Sequence, residues 1–82
     1  MKELVEYVAK SLVDSPDKVE VKEIVGESVT IIEVKADPAD VGKIIGREGR
    51  IANAIRTIAK ASAAKQNKKV SVEIITEDKE VK

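Results

Sequence analysis

An α+β fold in the order α-β-β-α-α-β, a three-stranded sheet with helices packed on one face, follows from three observations on this 82-residue chain. Three segments repeat apolar residues at helical spacing, three others alternate or cluster them as strands do, and only Gly26-Glu27 separates the first two strands. A chain of this size forms one core and buries about 60% of its unfolded surface. Residues 1–76 are therefore expected to form a single domain, with 77–82 as a charged C-terminal tail.

Leu4, Val5, Val8 and Leu12 recur at helical spacing until Asp14-Ser15-Pro16 ends the pattern, which predicts a first helix over about Lys2 to Val13. Tyr7 lies off this stripe and is read as a surface tyrosine covering the core edge, with no function assigned. Between Lys18 and Val25 the apolar set is Val19, Val21 and Val25, broken only by Glu23. Between Ser28 and Ala36, Thr30, Ile32, Val34 and Ala36 share one face. Gly26 is expected to need positive φ in the tight hairpin between them. A third strand is predicted over Val70 to Thr76, with Val70, Val72 and Ile74 on one face.

The stretch from Asp37 to Arg56, DPADVGKIIGREGRIANAIR, supplies the two remaining helices and the tight loop Gly46-Arg47-Glu48-Gly49 between them. Asp37 suits an N-cap, Pro38 the first helical position, and Asp40 the positive first turn, so one helix is predicted over about Pro38 to Ile45. Gly46 falls where helices commonly end in a left-handed residue, and Gly49 precedes a helix carrying Ile51, Ile55 and Ile58. Together with Ile44 these isoleucines are expected in the core. Gly42 sits inside its helix at a cost of about 1 kcal/mol relative to Ala, which points to close packing or backbone approach. The loop offers unpaired N–H groups beside a helix N-terminus, a place for an anion.

Cysteine and histidine are both absent, which removes disulfides, thiol nucleophiles, the usual zinc sites and imidazole catalysis. Neither GxxxxGK[ST] nor GxGxxG occurs, so phosphate-loop nucleotidases and dinucleotide sites are excluded as well. No cofactor or metal is expected, and the chain is not read as an enzyme. No apolar run reaches the roughly 20 residues of a membrane span and no signal-peptide pattern opens the chain, so a cytoplasmic location without membrane contact is expected.

The formal net charge is zero, yet the charges are segregated along the chain. Between Val41 and Lys69 stand eight cations and one anion, Glu48, a net +7 that leaves −7 for the remainder. A basic face on a neutral protein still attracts phosphate.

The run Val41-Gly42-Lys43-Ile44-Ile45-Gly46-Arg47-Glu48-Gly49-Arg50 resembles the signature of a KH domain, whose GxxG loop clamps a single-stranded nucleic-acid backbone. The order α-β-β-α-α-β is similarly that of the prokaryotic, type II KH fold. More narrowly, the leading amphipathic helix, Leu12-Val13-Asp14-Ser15-Pro16, the two strands, and Ala54-Ile55-Arg56-Thr57 after the loop resemble the small bacterial RNA-binding proteins of the KhpA (YlqC) family over nearly the whole chain.

That resemblance implies a non-catalytic protein that binds single-stranded RNA, acts as an RNA chaperone or post-transcriptional regulator, forms a homodimer, and joins a larger KH-containing partner of the KhpB (Jag) type, with links to cell division and cell shape. The RNA-binding residues it implies are Lys43, Ile45, Gly46, Arg47, Glu48, Gly49, Arg50, Ala52, Asn53 and Ile55. The loop N–H groups and the helix N-terminus at Arg50 are expected to hold phosphates, with Lys43, Arg47 and Arg50 adding charge. Ile45, Ala52, Ile55, Ile32 and Val34 are expected to line an aliphatic groove for bases. Without aromatic platforms, stacking of about 1–3 kcal/mol per base is missing, so affinity should be modest and sequence preference shallow. Glu48 departs from the favourable pattern: it either opposes phosphate or pairs with Arg47, Arg50 or Lys43. The alternative function is a protein-contact module with weak or no RNA binding, dimerising through the small residues Ala59, Ser62 and Ala63.

Overall fold

The computed structural model describes residues 2–75, and its elements follow the expected order. They are α1 (Lys2–Leu12), β1 (Glu20–Val25), β2 (Thr30–Lys35), α2 (Val41–Ile45), α3 (Arg50–Ala64) and β3 (Val70–Ile74), with 3₁₀ turns at Pro16–Lys18, Pro38–Asp40 and Arg47–Gly49. The predicted end of the third strand at Thr76 and the tail at 77–82 lie outside the described residues. The sheet order is β1-β2-β3, β1 and β2 antiparallel, β2 and β3 parallel. A parallel neighbour needs a crossover, and the α2–loop–α3 unit forms it. The GxxG loop thus lies in the one connection the sheet topology cannot shorten to a hairpin.

The core lies between the inner face of the sheet and the helices. Alternation on β2 turns Ile32, 0% exposed, and Val34, 1% exposed, into it, each burial being worth about 1.5–3 kcal/mol. From the helices come Val5, Ala9, Ile44, Ile55, Ala59 and Ala63.

Four residues expected inside are placed differently, each for a local reason. The buried line of α1 is Val5–Ala9, so Leu4 lies at its flank, 41% exposed. In α3 the line is Ala52–Ile55–Ala59–Ala63, which leaves Ile58 round the helix and 52% exposed. Val25 stands at the hairpin end of β1, beyond the core's cover, and is 73% exposed. Ile51 is only partly buried, packed against the core rim. Tyr7, at 73% exposed, covers little.

Two glycine expectations are also corrected. Gly26 does not adopt positive φ; its N–H donates to the Val29 carbonyl at 2.9 Å, and a Cβ there would lie 2.8 Å from that same oxygen. Close backbone approach, not handedness, requires glycine. At Gly42 a Cβ would meet nothing within 4 Å. Gly42→Ala is therefore expected to raise stability by about 0.5–1 kcal/mol through helix propensity, read as a higher urea midpoint. A lower midpoint would contradict the open space at this position.

Candidate nucleic-acid interface

The loop between α2 and α3 is built from backbone conformations that side chains resist. Gly46 has φ 77 and ψ 176, an extended positive-φ state rather than the left-handed helical one expected, and its N–H closes α2 by donating to the Gly42 carbonyl at 2.9 Å. A Cβ on Gly46 would sit 2.6 Å from Ile51 Cγ1, so α3 packs directly against the glycine. Gly49 is the left-handed residue, φ 76 and ψ 13, standing as N-cap of α3 without a capping side chain. Between them Glu48 adopts φ 58 and ψ 26, a conformation costing a non-glycine residue about 1–2 kcal/mol. Such strain is characteristic of functional loops.

The N–H groups of Gly49 and Arg50 bond back to Gly46 and Arg47 within this single turn. Those of Arg47 and Glu48 have no acceptor among the described residues. They lie beside the start of α3, whose own first-turn donors carry the positive end of the helix dipole. The combination attracts an anion.

The flanking charges are deployed unevenly. Arg47 is exposed and has no ion pair among the described residues. Glu48 Oε1 stands 3.6 Å from Arg50 Nη2, both side chains solvated. Of the partners open to Glu48 the structure selects Arg50, in an exposed pair worth at most about 1 kcal/mol. Lys43, expected to add charge for phosphate, makes two ion pairs: its Nζ lies 3.4 Å from Asp14 Oδ2 and 3.5 Å from Asp40 Oδ1. The Asp14 carboxylate above all, then Asp40, holds the Lys43 ammonium above the ordinary lysine range. Asp40 is 3% exposed and also accepts the Ser15 N–H at 3.1 Å. Lys43 thus links the α1–β1 connection to α2 while its side chain stays exposed.

The groove expected to be lined in part by Ile32 and Val34 does not include them. Ile32 and Val34 lie under the helices as core and cannot touch a ligand; the central strand is covered. The surface beside α3 is instead β3, an edge strand. There Arg56 Nε donates to the Val72 carbonyl at 3.1 Å and Arg56 Nη1 to Asn53 Oδ1 at 3.3 Å. Arg56 is the one cation among the described residues that is half-buried rather than exposed, and its partners are neutral oxygens. Sequence reasoning counted its charge but not its position, because its anchor lies sixteen residues away on another element.

Of the expected site residues, Gly46, Arg47, Glu48, Gly49, Arg50 and Asn53 converge at the loop and first turns of α3, and Ile45 is half-buried beside them. Ala52 and Ile55, at 3% and 6% exposed, support the site from beneath. The dimer residues fare differently. Ala59 and Ala63, 1% and 5% exposed, are spent on the chain's own core, where their small size lets α3 lie close to the sheet; Ser62 is half-buried. Among the described residues no His/Cys/Asp/Glu group could hold a metal ion, and no helix is long and apolar enough to cross a membrane.

A GxxG loop joining two helices, set against a three-stranded sheet with a parallel β2–β3 pair, defines a KH domain of type II. The chain belongs to the KhpA/KhpB KH-domain family, whose model matches residues 2–74. It is similar to the RNA-binding protein KhpA of Clostridium perfringens, 63% identical over 75 residues that cover 92% of this chain and 100% of that one. The RNA-binding protein KhpA of Clostridium acetobutylicum is 60% identical with the same coverage, and that of Aquifex aeolicus 52% identical, covering 92% of this chain and 95% of its own. A member of this family is a binding protein, not an enzyme.

Proposed function

We propose that this chain binds single-stranded RNA, holding the strand's backbone at the Gly46–Gly49 loop and the start of α3, and acts in the cytoplasm as an RNA chaperone or post-transcriptional regulator. The observation that carries this reading is the pair of N–H groups at Arg47 and Glu48 without an acceptor among the described residues, beside the α3 N-terminus and the exposed Arg47. Arg56, fixed between α3 and β3, offers a guanidinium plane on which a base can stack, a role aromatic residues fill in other RNA-binding domains. The name of the relatives, RNA-binding protein KhpA, supports the same ligand, and we extend the reading, on the family resemblance, to a role in cell division and cell shape.

Titration of a labelled single strand across salt concentrations tests the reading. Three or four neutralised phosphates give a log–log slope of about −2 to −3, and single strands bind better than a perfect RNA duplex, which hides its bases. A flat salt dependence, or equal binding to duplex, would count against it.

A second reading rests on the exposed Leu4, Tyr7 and Ile58, which bring large apolar groups to the outer faces of α1 and α3. We propose that self-pairing, and pairing with a larger KH protein of the KhpB (Jag) type, uses this strip in place of the buried alanines.

A further inference from the structure

The cations of α3 and the turn after it reach well past the loop. Asn53, Arg56 and Lys60 follow one another at spacings of three and four residues, so they share a stripe along the helix. That stripe starts at the GxxG end and runs beside β3, to which Arg56 is bonded. The helix is fifteen residues long, about 22 Å at 1.5 Å per residue. At its far end the chain turns sharply: Gln66 and Lys68 both donate to the Ala63 carbonyl, at 2.9 and 3.0 Å, with Asn67 at φ 58. This turn presents Lys65, Lys68 and Lys69, all exposed and without an ion pair among the described residues.

Asn67, Lys68 and Lys69 form one wall of an open cleft of about 300 Å³, whose other wall is the β1–β2 hairpin from Val25 to Thr30. The two walls are tied by the Thr30 N–H, which donates to the Lys69 carbonyl at 2.9 Å. Ser28 and Thr30 add hydroxyls to the cleft, and Glu27 is the single carboxylate on its lining. Helix-dipole compensation accounts for Lys65, the C-cap of α3, but not for Lys68 and Lys69, which lie beyond the helix. The outer sheet face, by contrast, sets opposite charges across from one another on neighbouring strands, Glu20 opposite Lys35 and Lys22 opposite Glu33.

We infer that the turn from Lys65 to Lys69 and the facing hairpin are a second phosphate-contact site, which takes the sugar–phosphate backbone of the same RNA strand after it has run along the Asn53–Arg56–Lys60 stripe. This rests on the reading of the loop as an RNA clamp. It makes the footprint longer than the roughly four nucleotides a GxxG loop holds, and it gives a domain without aromatic platforms an electrostatic source of affinity.

The test compares labelled oligouridylates of about four and about twelve nucleotides, the latter within the range one small domain can cover. On wild type the longer strand should show a salt slope steeper by about 1.4 to 2, two or three further phosphates at about 0.7 each. The triple variant Lys65→Ala, Lys68→Ala, Lys69→Ala should bring the long strand's slope back to that of the short one and weaken its binding at low salt by about tenfold, leaving the short strand and the circular dichroism spectrum unchanged. Equal slopes for both lengths on wild type, or equal losses for both lengths in the variant, would overturn the second site. The clamp is read separately, on the short strand with Arg47→Asp plus Glu48→Asp. If that change leaves the short strand's binding intact the clamp itself falls, and if only the length dependence is missing the clamp stands without its extension.

Discussion

Replacing Arg47 and Glu48 together by aspartate, so that the loop reads GDDG, is expected to weaken RNA binding at least about tenfold while the unfolding midpoint stays within about 0.5 kcal/mol of wild type. Binding falls because Arg47 is an exposed cation of the loop with no ion pair among the described residues, and a carboxylate takes its place beside the donors meant for phosphate. A tenfold loss needs about 1.4 kcal/mol, less than charge-assisted hydrogen bonds to one phosphate commonly supply. The fold survives because both positions are exposed, and because the left-handed conformation of Glu48, φ 58, suits aspartate better than glutamate. Glu48→Lys alone separates the two roles open to that side chain. It releases Arg50 from the 3.6 Å pair and adds a cation, so binding should tighten and its salt slope steepen; no gain would mean that the carboxylate was orienting Arg50. A double-aspartate variant that binds like wild type would refute the clamp and leave protein contact as the function.

The element order was legible because helix and strand periods differ so much that even aliphatic-only segments sort cleanly. On β2 the period of two put Ile32 and Val34 on one face, which is the buried one, although the same two residues were also expected to line a groove for bases. What periodicity cannot supply is where the covering layer stops. Leu4, Val25 and Ile58 all lie on or beside the correct face, yet near the margin of its cover. It also overweights large side chains: the most buried residues of α1 and α3 are Ala9 and Ala59, at 0% and 1% exposed. The loop was readable because its two glycines announce backbone states other residues avoid, although which glycine was left-handed could not be told from spacing. Partners distant in sequence were invisible. The ion pair of Lys43 with Asp14, on the far side of two strands in the chain, could not be read from spacing, and Arg56 gained its place only from the Val72 carbonyl.

Ala59→Leu is expected to lower stability by about 1–3 kcal/mol, not to dissociate a dimer. Ala59 is 1% exposed in the cluster that includes Ile55, Ala63 and Val72, so three added carbons must push α3 off the sheet or force strained rotamers. A domain of this size holds roughly 4–12 kcal/mol in total, so the loss is a large fraction of it. At about 4–8 °C per kcal/mol, the melting temperature should fall by about 5–20 °C, measured by circular dichroism. Ile58, one residue earlier but 52% exposed, provides the contrast: Ile58→Lys should leave the melting temperature of the protomer nearly unchanged, surface changes being usually within about 0.5 kcal/mol. If the apolar strip of Leu4, Tyr7 and Ile58 joins two copies, that same change shifts sedimentation at high concentration to the monomer. The opposite pattern, with Ala59→Leu altering assembly at constant melting temperature and Ile58→Lys altering neither, would place the small-residue face of α3 outward and contradict the packing described for it. The two substitutions are adjacent in sequence and act on different sides of one helix, so the two results together report the helix's rotation.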